Sequence, residues 1–205
     1  MTNEISKGVK EEIKRMINWM SEQVLDDQQA EGLVKAILNT QDEKGNNIKR
    51  IFVAGLGRSG YVAEAFGMRL AHLGYDVHIL GEPTAPAVGK EDLFIVVSGS
   101  GASLIQQIMI AREIGAEIIM VSSMPGSVGA KLADIVLTIP GREKEEYATL
   151  SYEERQMRGL PVFPLGTAFE GFAMTALDAI ISYLVLVKKK TEEDLKSRHA
   201  NIQKR

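Results

Sequence analysis

Three times between Arg50 and Leu132 a short, continuous apolar run rich in β-branched residues stops at a turn of glycine or serine and gives way to a helix-spaced pattern. Arg50–Ala54 leads into Gly60–Leu73, Asp92–Val97 into Ala102–Ile114, and Glu117–Val121 into Gly126–Leu132. Two more strand-like runs, Asp76–Leu80 and Ile135–Ile139, stand between and after these units. Strands that are apolar without alternation are buried on both faces, the condition of a parallel sheet with helices on either side. The pattern predicts an α/β fold, an open three-layer αβα sandwich on a five-stranded parallel sheet, flavodoxin-like in layout, with additional N-terminal and C-terminal helices.

The flanks fit one domain. Residues 1–47 form a helical segment, because Ile13, Ile17, Met20 and Val24, then Leu33 and Ile37, recur at helical spacing as one long helix or two shorter ones. The sheet core occupies 48–140, a charged segment with two prolines crosses the domain edge over 141–165, and C-terminal helices fill 166–205. A chain of 205 residues that is 45% hydrophobic can bury roughly 70% of its unfolded surface. Phe169–Val187 is apolar enough to suggest a bilayer span, but Glu170 and Asp178 interrupt it, so it reads as a helix of the core or of a subunit contact.

The inventory excludes several function classes. A net charge of -3 exerts no overall pull on nucleic acid or an anionic membrane, and neither is expected as a partner. With no cysteine there is no disulfide, thiolate metal site or thiol nucleophile, and three scattered histidines do not make a zinc site. Met1–Lys14 lacks the apolar stretch of a signal peptide, which points to the cytoplasm.

Chemistry concentrates in two loops. Gly55-Leu56-Gly57-Arg58-Ser59-Gly60 lies between a strand and a helix, where glycines permit a tight turn and free N–H groups favour a phosphate at the helix start. It also fits a dinucleotide fingerprint, with Glu82 standing 22 residues past Gly60 where a ribose-binding acid would fall. Ser98-Gly99-Ser100-Gly101-Ala102-Ser103 again lies where a strand should end and a helix begin, and its hydroxyls and amides form a donor-rich cradle suited to a phosphomonoester. Loops at the carboxyl ends of neighbouring strands open into one crevice, so the two would converge on one ligand. Ser122-Ser123 makes a third such turn, equally explained by ordinary turn chemistry.

This arrangement resembles the sugar isomerase (SIS) domain family. Val53–Gly60, Met68-Arg69-Leu70-Ala71-His72-Leu73-Gly74, Gly81-Glu82, Leu165-Gly166-Thr167-Ala168-Phe169-Glu170 and Arg198-His199-Ala200-Asn201 are similar to landmarks of its 6-phospho-3-hexuloisomerases. The family's second loop usually continues with Glu-Thr where this chain has Ala102 and Ser103. The resemblance implies interconversion of D-arabino-hex-3-ulose 6-phosphate and D-fructose 6-phosphate through an enediol, with no metal or nucleotide cofactor. It implies a phosphosugar held by Gly57, Arg58, Ser59, Ser98, Gly99, Ser100, Gly101 and Ser103, with Glu170 as base and His199 as a further catalytic group. It also implies a homo-oligomer, a tetramer, in which His199 reaches a neighbouring subunit's site.

The residues keep other readings open. Thr167-x-x-Glu170 is also a capping box, in which the glutamate returns to the first N–H of its helix. His199 sits in a polar tail, while His72 lies where a core or interface histidine is as natural as a catalytic one. His78 alternates along a strand, and Arg69 reads as structural. A non-catalytic phosphosugar-sensing module would carry the same cradle, and a dinucleotide-dependent oxidoreductase would carry the first loop.

Overall fold

The computed structural model describes residues 2–141 and 150–201. The charged run that begins at Arg142 lies largely outside the described residues, as do the last four. The sheet comprises β1 (Ile51–Gly55), β2 (Val77–Ile79), β3 (Leu93–Val97), β4 (Glu117–Ser122) and β5 (Ile135–Thr138), all parallel, in the order β2-β1-β3-β4-β5. The five expected strands are present, their ends differing from expectation by no more than one residue: β1 is shifted, β2, β3 and β5 are shorter, and β4 is longer.

Alternation within these strands divides the core in two. Ile51, Val53, Leu93, Ile95, Val97, Ile119, Val121 and Leu137 face one side, and Phe52, Ala54, Phe94, Val96, Ile118 and Met120 face the other. The first side is covered by α1 (Thr2–Ser21), α2 (Asp27–Leu38), α3 (Arg58–His72) and α7 (Thr167–Val187). The second is covered by α4 (Ile105–Ile114) and α5 (Val128–Leu132). Fully buried Phe52, Phe66, Phe94 and Phe169 anchor these layers, each contributing about 2–3 kcal/mol by burial.

The N-terminal segment is two helices. Asp26 is the N-cap of α2, its carboxylate accepting the Gln29 amide at 2.9 Å, and this restart ends the continuous helix that periodicity alone allows. The helix α7 is long and apolar enough to cross a membrane by length and composition. It nevertheless inserts Phe169, Phe172, Ala173, Leu177, Ile181 and Leu184 into the sheet-side core and packs along α3. The crossing segment contains a short helix, α6 (Tyr152–Met157), begun by a capping box of Ser151 and Glu154. Within the polar stretch after Lys190 the C-terminal region forms α8 (Glu192–Ser197), whose Leu195 packs against the core near the end of α3.

Candidate active site

In the sheet register Gly55 stands opposite Val97, and Val97 opposite Val121. The loops that follow β1, β3 and β4 therefore open on one edge. From β1 the chain winds first to β2 and then across to β3, which makes the crevice between β1 and β3 the topological switch point where open α/β sheets hold ligands. Both predicted loops border it.

The first loop delivers the chain into α3 through Gly57, the N-cap, at φ 57. That residue has no side chain to cap the helix, so the first N–H groups of α3 remain available to an anion. Arg58 and Ser59 stand in this opening turn.

The second loop is longer than the sequence suggests. Helix α4 begins at Ile105, not Ala102, because Gly101 (φ 60) and Leu104 (φ 60) both adopt left-handed backbone and turn 101–104 into loop. A leucine in that conformation stores strain of ~1–3 kcal/mol, the kind that persists where the surroundings hold it for a purpose. Ser98 is only 3% exposed, and its hydroxyl has no hydrogen-bond partner among the described residues. Ser100 Oγ accepts the Ala102 amide at 3.3 Å and keeps its own proton to donate; Ser103 is half-buried on the same loop.

The third loop is its support. Ser122, fully buried, donates to the Gly99 carbonyl at 3.3 Å and accepts the Met124 amide at 3.1 Å, while the Ser123 amide donates to the same carbonyl at 3.2 Å. Below it, a Cβ on Gly101 would fall 1.9 Å from Ser127 Oγ, the hydroxyl that caps α5, so the loop lies flat against that cap. Ser122 and Ser123 thus do more than close a turn.

The fourth wall is the start of α7. A Cβ on Gly99 would meet the Phe169 ring at 2.9 Å, and one on Gly141 would meet the Phe169 backbone nitrogen at 2.2 Å. These two close approaches bring the first turn of α7 against the loops after β3 and β5 and leave Glu170 on their rim. The capping box that the spacing Thr167-x-x-Glu170 allows does not form there. Gly166 is the N-cap, Thr167 Oγ1 donates backward to the Pro164 carbonyl at 2.7 Å, and the Glu170 carboxylate turns instead to Arg58, whose Nε donates to Oε2 at 2.5 Å. Glu170 is largely covered, with 13% of its side chain exposed, whereas Arg58 is 65% exposed. The site so assembled has a carboxylate, a guanidinium, uncapped helix amides and a buried serine hydroxyl in want of a partner. That set can hold a dianionic phosphate and move a proton.

Eight of the sequence-predicted residues lie on these two loops, with Glu170 beside Arg58. His199 does not join them within one chain. Its ring lies against His72, with centroids 5.2 Å apart, at the far end of α3. Arg58 begins that 15-residue helix and His72 ends it, a span of about 21 Å at 1.5 Å per residue. His72 is nearly buried, and burial lowers its pKa below the usual imidazole value, with His199 and Arg69 adding to the effect. His78 pairs with Asp76 at 3.0 Å near the outer strand. The sequence reading gave Gly141 and Ser127 no role, met Phe169 only within the Leu165–Glu170 landmark and left Ser122 equally explained as an ordinary turn; Ser127, directly before Val128–Leu132, carried the local signal of an N-cap. Among the described residues no group of three histidine, aspartate or glutamate side chains is placed to hold a metal ion. An open groove of about 380 Å³ between α1 and α6, lined by Val9, Glu12, Tyr152 and Val162, shares no residue with the site.

The SIS domain family matches residues 46–157. An uncharacterized protein of Archaeoglobus fulgidus is 39% identical over 76% of this chain and 81% of its own length. The 3-hexulose-6-phosphate isomerase of Methylomonas aminofaciens is 38% identical over 85% of this chain and 90% of its own. A crystal structure from Methanococcus jannaschii, reported to infer a 3-hexulose-6-phosphate isomerase function, superposes with TM-score 0.72 at 25% identity, covering 96% of this chain and 99% of that one.

Proposed function

The chain belongs to the SIS domain family, and from that premise we propose that it is a phosphosugar isomerase of the cytoplasm that interconverts D-arabino-hex-3-ulose 6-phosphate and D-fructose 6-phosphate. Relatives of 35–38% identity over most of the chain are named for that isomerisation, which favours this reading over the dinucleotide one. The observation that carries the chemistry is the placement of Glu170 on the rim of a serine cradle, turned from its helix cap toward the crevice.

The substrate phosphate sits on the Gly57–Ser59 turn and on Ser98, Gly99, Ser100, Gly101 and Ser103. The open-chain sugar then lies toward α7, where the Glu170 carboxylate removes the proton on C2. The electron pair of that C–H bond forms the C2–C3 double bond, and the C3 carbonyl becomes the enediol oxygen. The O2 proton passes to O3 as the C2 carbonyl forms, which leaves O3 as a hydroxyl, and Glu170 returns the proton it took from C2 to C3. No electron acceptor or metal is required.

His199 serves this reaction only from another subunit, given its distance from Glu170 in its own chain. Self-association is the matching proposal, with a tetramer as the expected size. Ile5, Val9, Ile13 and Ile17 form an exposed ridge along α1 at intervals of four residues, and Tyr183, Leu186 and Val187 extend exposed apolar surface at the end of α7.

The test is turnover of D-arabino-hex-3-ulose 6-phosphate, generated in place and read as fructose 6-phosphate, by metal-stripped wild type beside Glu170→Gln. Wild-type turnover abolished in the mutant, with ligand affinity retained, supports both reaction and base. Phosphosugar binding without turnover in folded wild type replaces the isomerase with a sensing module.

A further inference from the structure

We propose that Arg58 is a positioning residue that ties the phosphate cradle to the base, holding Glu170 through one edge of its guanidinium and the substrate phosphate through the other. The inference rests on the isomerase reading of the site and adds to it a role for Arg58 beyond phosphate binding. Its Nε–H is committed to Glu170 Oε2 at 2.5 Å, across 112 residues of sequence. Both terminal nitrogens are without a described hydrogen bond or ion pair, and the side chain is 65% exposed. Arg58 is also the first residue of α3, so its backbone belongs to the turn that receives the phosphate.

A guanidinium is a planar fork with five donors fixed relative to one another. When its Nη edge takes a phosphate oxygen, the direction of the Nε–H is set, and with it the place of the carboxylate it holds. Glu170 otherwise has three rotatable bonds and no cap to restrain it. The missing side chain of Gly166 leaves room for this carboxylate, since a Cβ there would lie 3.0 Å from Oε1. Arrival of the phosphate therefore completes the placement of the base. Lysine could supply the charge but not the two-edged geometry.

The decisive comparison is wild type, Arg58→Lys and Arg58→Gly, with fructose 6-phosphate affinity measured calorimetrically and kcat measured separately. The expectation for Arg58→Lys is a Kd within about fivefold of wild type, since charge and loop amides remain. Its kcat should fall about 100-fold, the scale of an ångström of misplacement at a reacting centre. Added methylguanidinium should restore part of the lost kcat in Arg58→Gly and none in Arg58→Lys. Wild-type kcat in Arg58→Lys, or a loss confined to KM, overturns the proposal. A second readout needs no turnover. The Arg58 Nε–H proton resonance should lie downfield in wild type, move upfield in Glu170→Gln, and sharpen on addition of inorganic phosphate. Absence of wild-type turnover with that signature present would sink the isomerase reading alone; a resonance indifferent to Glu170→Gln would sink the coupling.

Discussion

Removing the Ser98 hydroxyl should push stability and affinity in opposite directions. Ser98 is 3% exposed and its Oγ has no hydrogen-bond partner among the described residues, although its amide is held by the Val121 carbonyl at 2.9 Å. A buried hydroxyl left unsatisfied costs about 1–3 kcal/mol relative to one that is paired or absent. Ser98→Ala deletes that atom and little else, so the ligand-free protein should gain about 1 kcal/mol, which for a chain of this size raises Tm by about 2–4 °C. On the proposed phosphate site the same hydroxyl would donate to a charged oxygen of the bound phosphosugar, a bond of about 1.5–3 kcal/mol, so Kd should weaken by about 10- to 100-fold. At a fixed high ligand concentration the binding contribution to stability then falls by about 1.4–2.7 kcal/mol, and the two melting curves should cross. Thermal unfolding with and without fructose 6-phosphate reads both effects in one experiment. A variant less stable than wild type without ligand, or one with unchanged Kd, would refute the assignment of Ser98 to the phosphate.

Three further outcomes follow from other parts of the structure. Gly141→Ala places a Cβ 2.2 Å from the Phe169 nitrogen at φ 138, so it should lower the urea midpoint by the equivalent of about 2 kcal/mol or more, and any folded fraction should lose turnover as α7 is forced off the loops; near-wild-type stability would show that this packing is not tight. His72 has its pKa lowered in the folded chain, chiefly by burial, so the unfolded chain binds the proton first and stability falls with pH from about 6.5 down through the folded value. Urea midpoints at pH 7.5 and 5.5 should therefore drop further in wild type than in His72→Gln, and equal drops would count against a buried neutral imidazole. Val9→Glu combined with Ile13→Glu puts charge into the α1 ridge and should shift the sedimenting species to a smaller size, whereas a wild type that sediments as a monomer removes the oligomer altogether.

The sheet was legible because its signal is local and redundant. Leu93–Val97 is apolar at every position and is buried at every position, and the glycine or serine that follows each such run marks the edge at which it leaves the sheet. Element ends were less legible where a backbone conformation overrode composition. Residues Ala102 to Leu104 look like the first turn of a helix, but left-handed Gly101 and Leu104 hold them as loop, and nothing about a leucine announces a φ of 60. The break between α1 and α2 was readable in principle, since Asp26 is a good N-cap, but uninterrupted apolar spacing on both sides hid it.

The role of Glu170 shows where local reading stops. Thr167-x-x-Glu170 has the spacing of a capping box, and the rule fails for a definite reason. Leu165 adopts φ 53, the chain turns there, and Gly166 becomes the N-cap, so Thr167 is already inside the helix and its hydroxyl returns to the Pro164 carbonyl. Glu170 is then at the fourth helical position, too far along to reach the N-cap amide, and its own amide is paired with the Gly166 carbonyl at 3.0 Å. What remains for its carboxylate is a cation from another part of the fold, and the sheet order supplies one. The α3 helix that follows β1 packs along α7, and its first residue is Arg58. A strained leucine with 97% of its surface exposed thus does at the end of a loop what the sequence pattern would have prevented: it frees a carboxylate from its own helix and presents it to Arg58 at the start of α3.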